Sequence, residues 1–239
     1  MESSSLEKYR VLSGSALKVI AVVLMLTDHA TLTFLIGRNT VFLSLWGHTV
    51  TVYNFLRGVG RLAFPIFAFL VTEGYQHTHD RMRYGRDLAL FALLSEIPWN
   101  LWRNCTVSFL SSQNVYFTLL LGYLAICMAE RYQGRVWRQA SWLVGLLIVS
   151  IVLSADYGCS GYCFILFLYV MREQKLLRAV IGCGILSSRW KAGLSFIPIT
   201  LYNGERGFIR GNAAKYVFYL FYPVHIFILY LLKNAWVGY

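Results

Sequence analysis

Nine apolar blocks, parted by short charged breaks, take up most of this 239-residue chain. They run Ala16–Ile36, Tyr53–Tyr75, Arg86–Leu101, Asn114–Ala129, Ser141–Ala155, Gly158–Met171, Leu177–Ser187, Lys191–Tyr202 and Tyr216–Leu232. A helix that crosses a bilayer needs about 20 mainly apolar residues, so a chain built this way is expected to thread a membrane repeatedly. The seventh and eighth blocks are short and suit half-helices or a re-entrant pair. Composition agrees: 57% of residues are hydrophobic and 14% charged, against about a quarter charged in a soluble domain. Backbone N–H and C=O groups must be satisfied internally in lipid. The expected fold is therefore all-α, a polytopic transmembrane helical bundle of about nine spans forming a single domain over residues 1–239. No linker, internal repeat or low-complexity tract interrupts it.

Charge then sets orientation. The net charge is +11, but the basic residues sit in short breaks instead of on one face, which argues against nucleic acid as a partner. With the N-terminus in the cytoplasm, the inner segments carry Lys8, Arg10 and Lys18; Arg81, Arg83 and Arg86; Arg131, Arg135 and Arg138; Arg172, Lys175 and Arg178; and Arg206, Arg210 and Lys215. Arg38, Arg57, Arg61, Arg103, Arg189, Lys191 and Lys233 fall at or near the outer side. That surplus obeys the positive-inside rule. The start MESSSLEKYR holds two Glu residues and the first apolar run lacks a small-residue cleavage site, so no cleaved signal peptide is expected. Cys105, Cys127, Cys159, Cys163 and Cys183 show no C-x-x-C spacing and read as small apolar residues in the membrane, with a Cys105–Cys159 bridge conceivable.

The polar residues inside these blocks need a reason. Asp28 and His29 interrupt VLMLTDHATLTFLI, and Asp28 lies roughly 18 Å from the inner end of its block at the helical rise. Arg61, early in the second block, falls at a similar level, so an Asp28–Arg61 pair is expected to keep the carboxylate ionised. Neighbours on a helix diverge by about 100°, so Asp28 and His29 face different helices instead of forming one dyad. A buried His bonded to a carbonyl is the plain alternative, but an adjacent intramembrane acid tips the reading toward a site. Glu96 and Asn100 lie beside Pro98 in the third block, and Glu73 ends the second with His77 one turn on. His225, beneath Pro223 in the last block, serves equally well as a packing residue or a site residue. Arg61, Glu73, Glu96 and Asn100 are the candidates for touching substrate. Asp156 reads as the cap of the next helix. The spacing of His77 and His79 is too little for a metal, and none is expected.

The segment LYNGERGFIRGNAAKY stands apart. Asn203, Glu205, Arg206, Arg210 and Lys215, with three glycines, make a basic loop on the inner side. Backbone N–H groups and guanidinium forks both suit phosphates; a positive-inside loop with turn glycines reads the spacing as well.

The stretches LSGSALKVIAVVLMLTDHA, GRLAFPIFAFLVTEGYQHTHDRMRYGRDLALFALLSEIPWNL, SADYGCSGY, LYNGERG and KYVFYLFYPVHIF resemble the TraX family of integral membrane proteins, from about Leu12 to Leu232. The resemblance implies an enzyme of the bacterial cytoplasmic (inner) membrane that takes acetyl-CoA as donor, with Asp28 and His29 as natural site residues. Founding members acetylate the N-terminal amine of F-type pilin. The expectation is thus acetyl transfer to an amine, foremost the N-terminus of a pilin-like protein. His29 would be the general base, Asp28 the fixed charge and His225 the competing base, while Asn203, Glu205, Arg206, Arg210 and Lys215 would meet the CoA. O-acetylation of a surface glycan or other small acceptor, and a non-enzymatic transporter or assembly role, are the rival readings. Besides acetyl-CoA and the acceptor, the expected partner is membrane lipid.

Overall fold

The computed structural model describes residues 10–38, 40–45, 48–105, 112–186 and 190–237. Lys8 and Arg189 of the charge pattern, and Ser187 at the end of the seventh block, lie outside them. Helix α1 (Gly14–Phe34) leads into a hairpin of β1 (Val41–Leu45) and β2 (His48–Thr51), then α2 (Val52–Gly60) and α3 (Ala63–His77). Helices α4 (Arg81–Asn104), α5 (Val115–Arg131), α6 (Val136–Val152) and α7 (Gly158–Val170) follow. The chain continues with α8 (Lys175–Ile185), the single turns α9 (Trp190–Gly193) and α10 (Phe196–Thr200), and α11 (Asn212–Val237).

Every apolar block appears as helix, two of them in pieces. Against the nine spans expected, three helical stretches among the described residues are long and apolar enough to cross a membrane: Gly14–Phe34, Val52–His77 and Asn212–Ala235. Helix α4 is long, but its charged residues keep it from that class, and α6 and α7 are shorter apolar helices. The all-α expectation is corrected by the antiparallel β1–β2 pair. Val41, Phe42, Thr49, Val50 and Thr51 in these strands are β-branched or aromatic, the usual strand formers, and they lie in the connection between two blocks. The second block is split at Arg61–Leu62 because Pro65 has no N–H to bond back to Arg61. Pro198 breaks the eighth block in the same manner, having no N–H to bond back to Leu194.

Two compact units are distinguished, one of Met1–Phe67, Gln174–Lys215 and Leu231–Tyr239, the other of Ala68–Glu173 and Tyr216–Tyr230. In the first, α1 opens on Ser13, whose hydroxyl accepts the Ala16 N–H at 3.3 Å. Thr27, Thr31 and Thr33 fold their hydroxyls onto the carbonyls of Val23, Thr27 and His29 at 2.9, 2.6 and 2.7 Å. Polar side chains on a bilayer-depth helix thus satisfy themselves locally. The second unit has a core of Leu121, Ala125 and Tyr162, packed by Leu143, Leu146, Leu147, Leu153 and Leu166. The Tyr162 hydroxyl donates to the Leu143 carbonyl at 2.8 Å. Pro223 withholds an N–H from Tyr219, and the Tyr116 hydroxyl supplies the missing bond at 3.1 Å. Large apolar residues on α6 and α11, among them Val144, Ile148, Leu220 and Phe227, point outward. Such a surface is at home against lipid tails.

Candidate functional site

The first unit holds the strongest arrangement. Asp28 and His29 come one after the other on α1, and the helix turns them apart: Asp28 is half-buried and His29 is 9% exposed. Asp28 forms its ion pair with Arg57 of α2, whose Nη1 donates to Oδ2. This corrects the expected Asp28–Arg61 pair. Arg57 and Arg61 stand one turn apart on one helical face, and sequence depth alone chose the wrong one. A long guanidinium stem reaches along the helix to a charge at another level. Arg61 occupies the residue that ends α2, and its charge acts on Asp28 without a direct ion pair among the described residues.

Why Arg57 wins is visible in the packing. A Cβ built on Gly60 would lie 2.5 Å from Asp28 Cβ and 2.7 Å from its Cα. Helix α2 therefore touches the α1 backbone at Asp28, which only a glycine permits. With the helices this close, Arg57 arrives one turn from the contact, at the carboxylate. The other oxygen, Asp28 Oδ1, is buried and has no hydrogen-bond partner among the described residues. A buried acceptor left open costs free energy, so it is a natural seat for an incoming N–H donor.

The basic loop also belongs to this unit, and it grips the start of α1. The N–H groups of Gly14 and Ser15 donate to the carbonyls of Glu205 and Arg206 at 2.8 and 2.9 Å. The Ser15 hydroxyl donates to Arg206 O at 2.7 Å and accepts the Ile209 N–H at 2.8 Å. Leu12 pairs with the far side through Leu12 N–H to Leu201 O at 3.0 Å and Asn203 N–H to Leu12 O at 2.9 Å. Gly207, at φ +85°, sits so near Ser13 and Ser15 that a Cβ would come within 2.3 Å of Ser13 Oγ. The orphan N–H groups of the helix start are thus filled by protein, and the phosphate-binding capacity of the loop rests on its side chains. Arg206 and Arg210 are exposed, with Arg210 Nε donating to Gly207 O at 3.1 Å. Asn203 Oδ1 accepts the Glu205 N–H at 2.9 Å and shapes the turn. Lys18, one turn into α1, lies within the field of Arg206 and Lys215. Lys18 thus adds a cation from the helix to the three expected from the loop, Arg206, Arg210 and Lys215.

Glu73, Glu96, Asn100 and His225 belong to the second unit. Glu96 is fully buried and takes amide donors from Asn100 at 2.8 Å and Asn114 at 2.6 Å. Asn114 also caps α5 through Tyr116 N–H at 3.0 Å and donates to Ala92 O at 2.8 Å. This cluster ties α4 to the start of α5. His225 Nδ1 lies 2.7 Å from the Phe221 carbonyl, and its ring stacks on Phe221 with centroids 4.8 Å apart. Its surroundings are those of a packing residue. His77 Nδ1 contacts its own helix at Glu73 O, 2.9 Å, with the Glu73 carboxylate 3.8 Å away. Asp156 pairs with Arg103 at 3.6 Å, and the N-cap position of α7 falls to Tyr157, which supplies no side-chain cap bond, instead of to Asp156. All five cysteines are free, and Cys127 is the most enclosed of them.

Sequence reasoning missed Arg57, Gly60, Lys18, Ser13 and Ser15 as parts of this site. The pattern Arg57-x-x-Gly60-Arg61 held a signal, since a glycine inside a spanning helix marks close helix approach. Nothing in the spacing announced that Ser13 and Ser15 meet the loop around residue 207.

Comparison with known proteins supplies independent context. A family model described as TraX protein matches residues 13–233. A Dichelobacter nodosus protein described as probable fimbrial assembly protein FimC, serogroup H1, is 30% identical over 249 aligned residues, which cover 91% of this chain and 94% of that protein. No solved structure matches the chain significantly.

Proposed function

The chain belongs to the TraX family, and from that premise we propose that it is a membrane-embedded acetyltransferase acting in pilus or fimbrial assembly. It moves an acetyl group from cytoplasmic acetyl-CoA to an acceptor amine, foremost the N-terminus of a pilin-like protein. The single observation that carries this reading is the unfilled Asp28 Oδ1 next to the buried His29 on one helix. An acceptor ammonium is an N–H donor and a cation, so it suits that oxygen in both respects. The relative described as a fimbrial assembly protein supports the choice of acceptor.

The chemistry needs the ammonium to lose a proton before it attacks. His29 takes that proton, the nitrogen forms its bond to the acetyl carbon and gives up its second, surplus proton to solvent, and the carbon–sulfur bond breaks. The proton on His29 then goes to the departing CoA sulfur. Imidazole is the side chain whose ordinary range suits both transfers near neutral pH. Asp28, held by Arg57, fixes the amine and stabilises the developing cation. Acetyl-CoA supplies the activated acyl group. Lys18, Arg206, Arg210 and Lys215 would hold its phosphates at the inner end of α1, while Asn203 and Glu205 shape the loop that carries them. Lys18 and Asp28 are about 15 Å apart along the helix, and a pantetheine arm of roughly 20 Å spans that length. The nine-span bundle in the bacterial inner membrane, N-terminus in the cytoplasm, belongs to the same proposal.

The test is release of free CoA by purified protein given acetyl-CoA and a peptide that matches a processed pilin N-terminus, with mass spectrometry of the peptide. A gain of one acetyl group on the α-amine, absent with a blocked N-terminus, is the expected result. No thiol release and no acetylated product with amine, glycan or small-molecule acceptors would leave an assembly role without catalysis.

A further inference from the structure

The hairpin β1–β2 joins the end of α1 to the start of α2, and the proposed chemistry does not use it. Between Arg38 and Arg57 the sequence contains no Asp, Glu, Lys or Arg. A connection bathed in water normally carries charge. Val41, Phe42 and Leu43 are 58%, 54% and 47% exposed. The pairing of β1 with β2 shifts register between Val41 and Leu43, and all three of these neighbouring side chains are turned outward.

The level of the hairpin relative to the bilayer follows from its attachments. Helix α2 begins at Val52 as soon as β2 ends at Thr51, and the Val52 N–H donates to Thr40 O at 2.9 Å. The Phe42 ring stacks on Phe55, in the first turn of α2, with centroids 4.7 Å apart. Hairpin and helix therefore share one apolar surface, continuous with the stretch Val52–His77 that is long enough to cross a membrane. The short attachment leaves no slack that would lift Val41, Phe42 and Leu43 into solvent.

We propose that this hairpin is a membrane-interface anchor, with Val41, Phe42, Leu43 and Phe55 seated at the headgroup–acyl boundary of the leaflet where α1 ends and α2 begins. The unpaired edges of a two-stranded sheet cannot enter the hydrocarbon core, where no water serves them. Aromatic side chains favour the boundary itself. Asp28 lies about 9 Å before the end of α1 and Arg57 about 7.5 Å after the start of α2. An anchored hairpin thus sets the depth of the ion pair beneath it. This inference rests on the membrane-crossing reading of α1 and α2–α3 and is independent of acetyl transfer.

The experiment uses full-length protein in phosphatidylcholine nanodiscs, one copy per disc. An environment-sensitive dansyl amino acid replaces Phe42, or in a second protein Val41, which makes no ring stack to lose. A third carries it at Gln133, in an exposed turn, as the aqueous reference. Emission at positions 41 and 42 should be blue-shifted from that at 133 and quenched about twofold by lipids brominated near the carbonyl end of the acyl chain, less by bromines near the chain end. Emission matching position 133 and untouched by bromine at both sites overturns the proposal. So does a blue shift without bromine quenching, because protein and not lipid would then cover the hairpin.

Discussion

An intramembrane carboxylate costs at least about 2.5–3.5 kcal/mol on insertion scales, and at Asp28 the Arg57 guanidinium offsets that cost. The two side chains are only 17% and 19% exposed, so removing one strands the other. Arg57→Ala should lower stability by about 3 kcal/mol, near the low end for a broken buried pair, and Arg61→Ala by much less. Thermal unfolding in detergent reads the difference; equal losses would return Arg61 to the role of partner. His29 and His225 divide in a parallel way. His29 shares its helix with the open Asp28 oxygen, whereas His225 is held by Phe221. His29→Ala should cut kcat by roughly 10²–10⁴, as loss of a general base does, with acetyl-CoA binding kept. A nearly active His29→Ala beside a folded but inactive His225→Ala would transfer the proton-handling role to His225.

At the scale of elements, the approach of α2 to α1 depends on one missing methyl group. A Cβ at residue 60 would stand 2.8 Å from the Asp28 backbone nitrogen as well as close to Cα and Cβ. Backbone cannot rotate out of the way as a flexible side chain can. Gly60→Ala should push the helices apart, at a cost of about 1–3 kcal/mol for overpacking, and weaken the Asp28–Arg57 pair in the same stroke. Unaltered unfolding temperature and unaltered activity together would mean that α2 stands further from α1 than described. The other end of α1 shows a second way to fix a helix, with the loop carbonyls of Glu205 and Arg206 bonded to its first N–H groups. Loop and helix start are one structural piece, which is why Lys18 joins Arg206 and Lys215.

For the whole molecule, orientation is the property that decides which side each substrate meets. In the proposed orientation the basic loop faces the cytoplasm and the hairpin the outside. An impermeant maleimide should label a cysteine placed at Thr49 in intact cells. Cysteines placed at Gln133 or Gly211 should react only after permeabilisation. The reverse pattern would put the loop cations on the side that lacks acetyl-CoA and defeat the proposed function. Residues 49, 133 and 211 all lie in described, non-core positions, so the thiols test topology and not folding.

Hydrophobic patterning located the helical blocks among the described residues, while only three stretches of them are long and apolar enough to cross a membrane. It also singled out Asp28, His29 and the basic loop, since each breaks that pattern. Pairwise contacts were beyond it. Arg57 and Arg61 satisfy the same spacing, and only the closeness that Gly60 allows between α1 and α2 decides between them. Ser13 and Ser15 look like ordinary cap residues until the chain returns nearly two hundred residues later to meet them. The Asn114 amide, at the start of its own helix, gave no sign that it would close on Glu96. The hairpin was hidden for a different reason: a short apolar stretch between two long ones has the composition of its neighbours, and its strand geometry appears only once both ends are held.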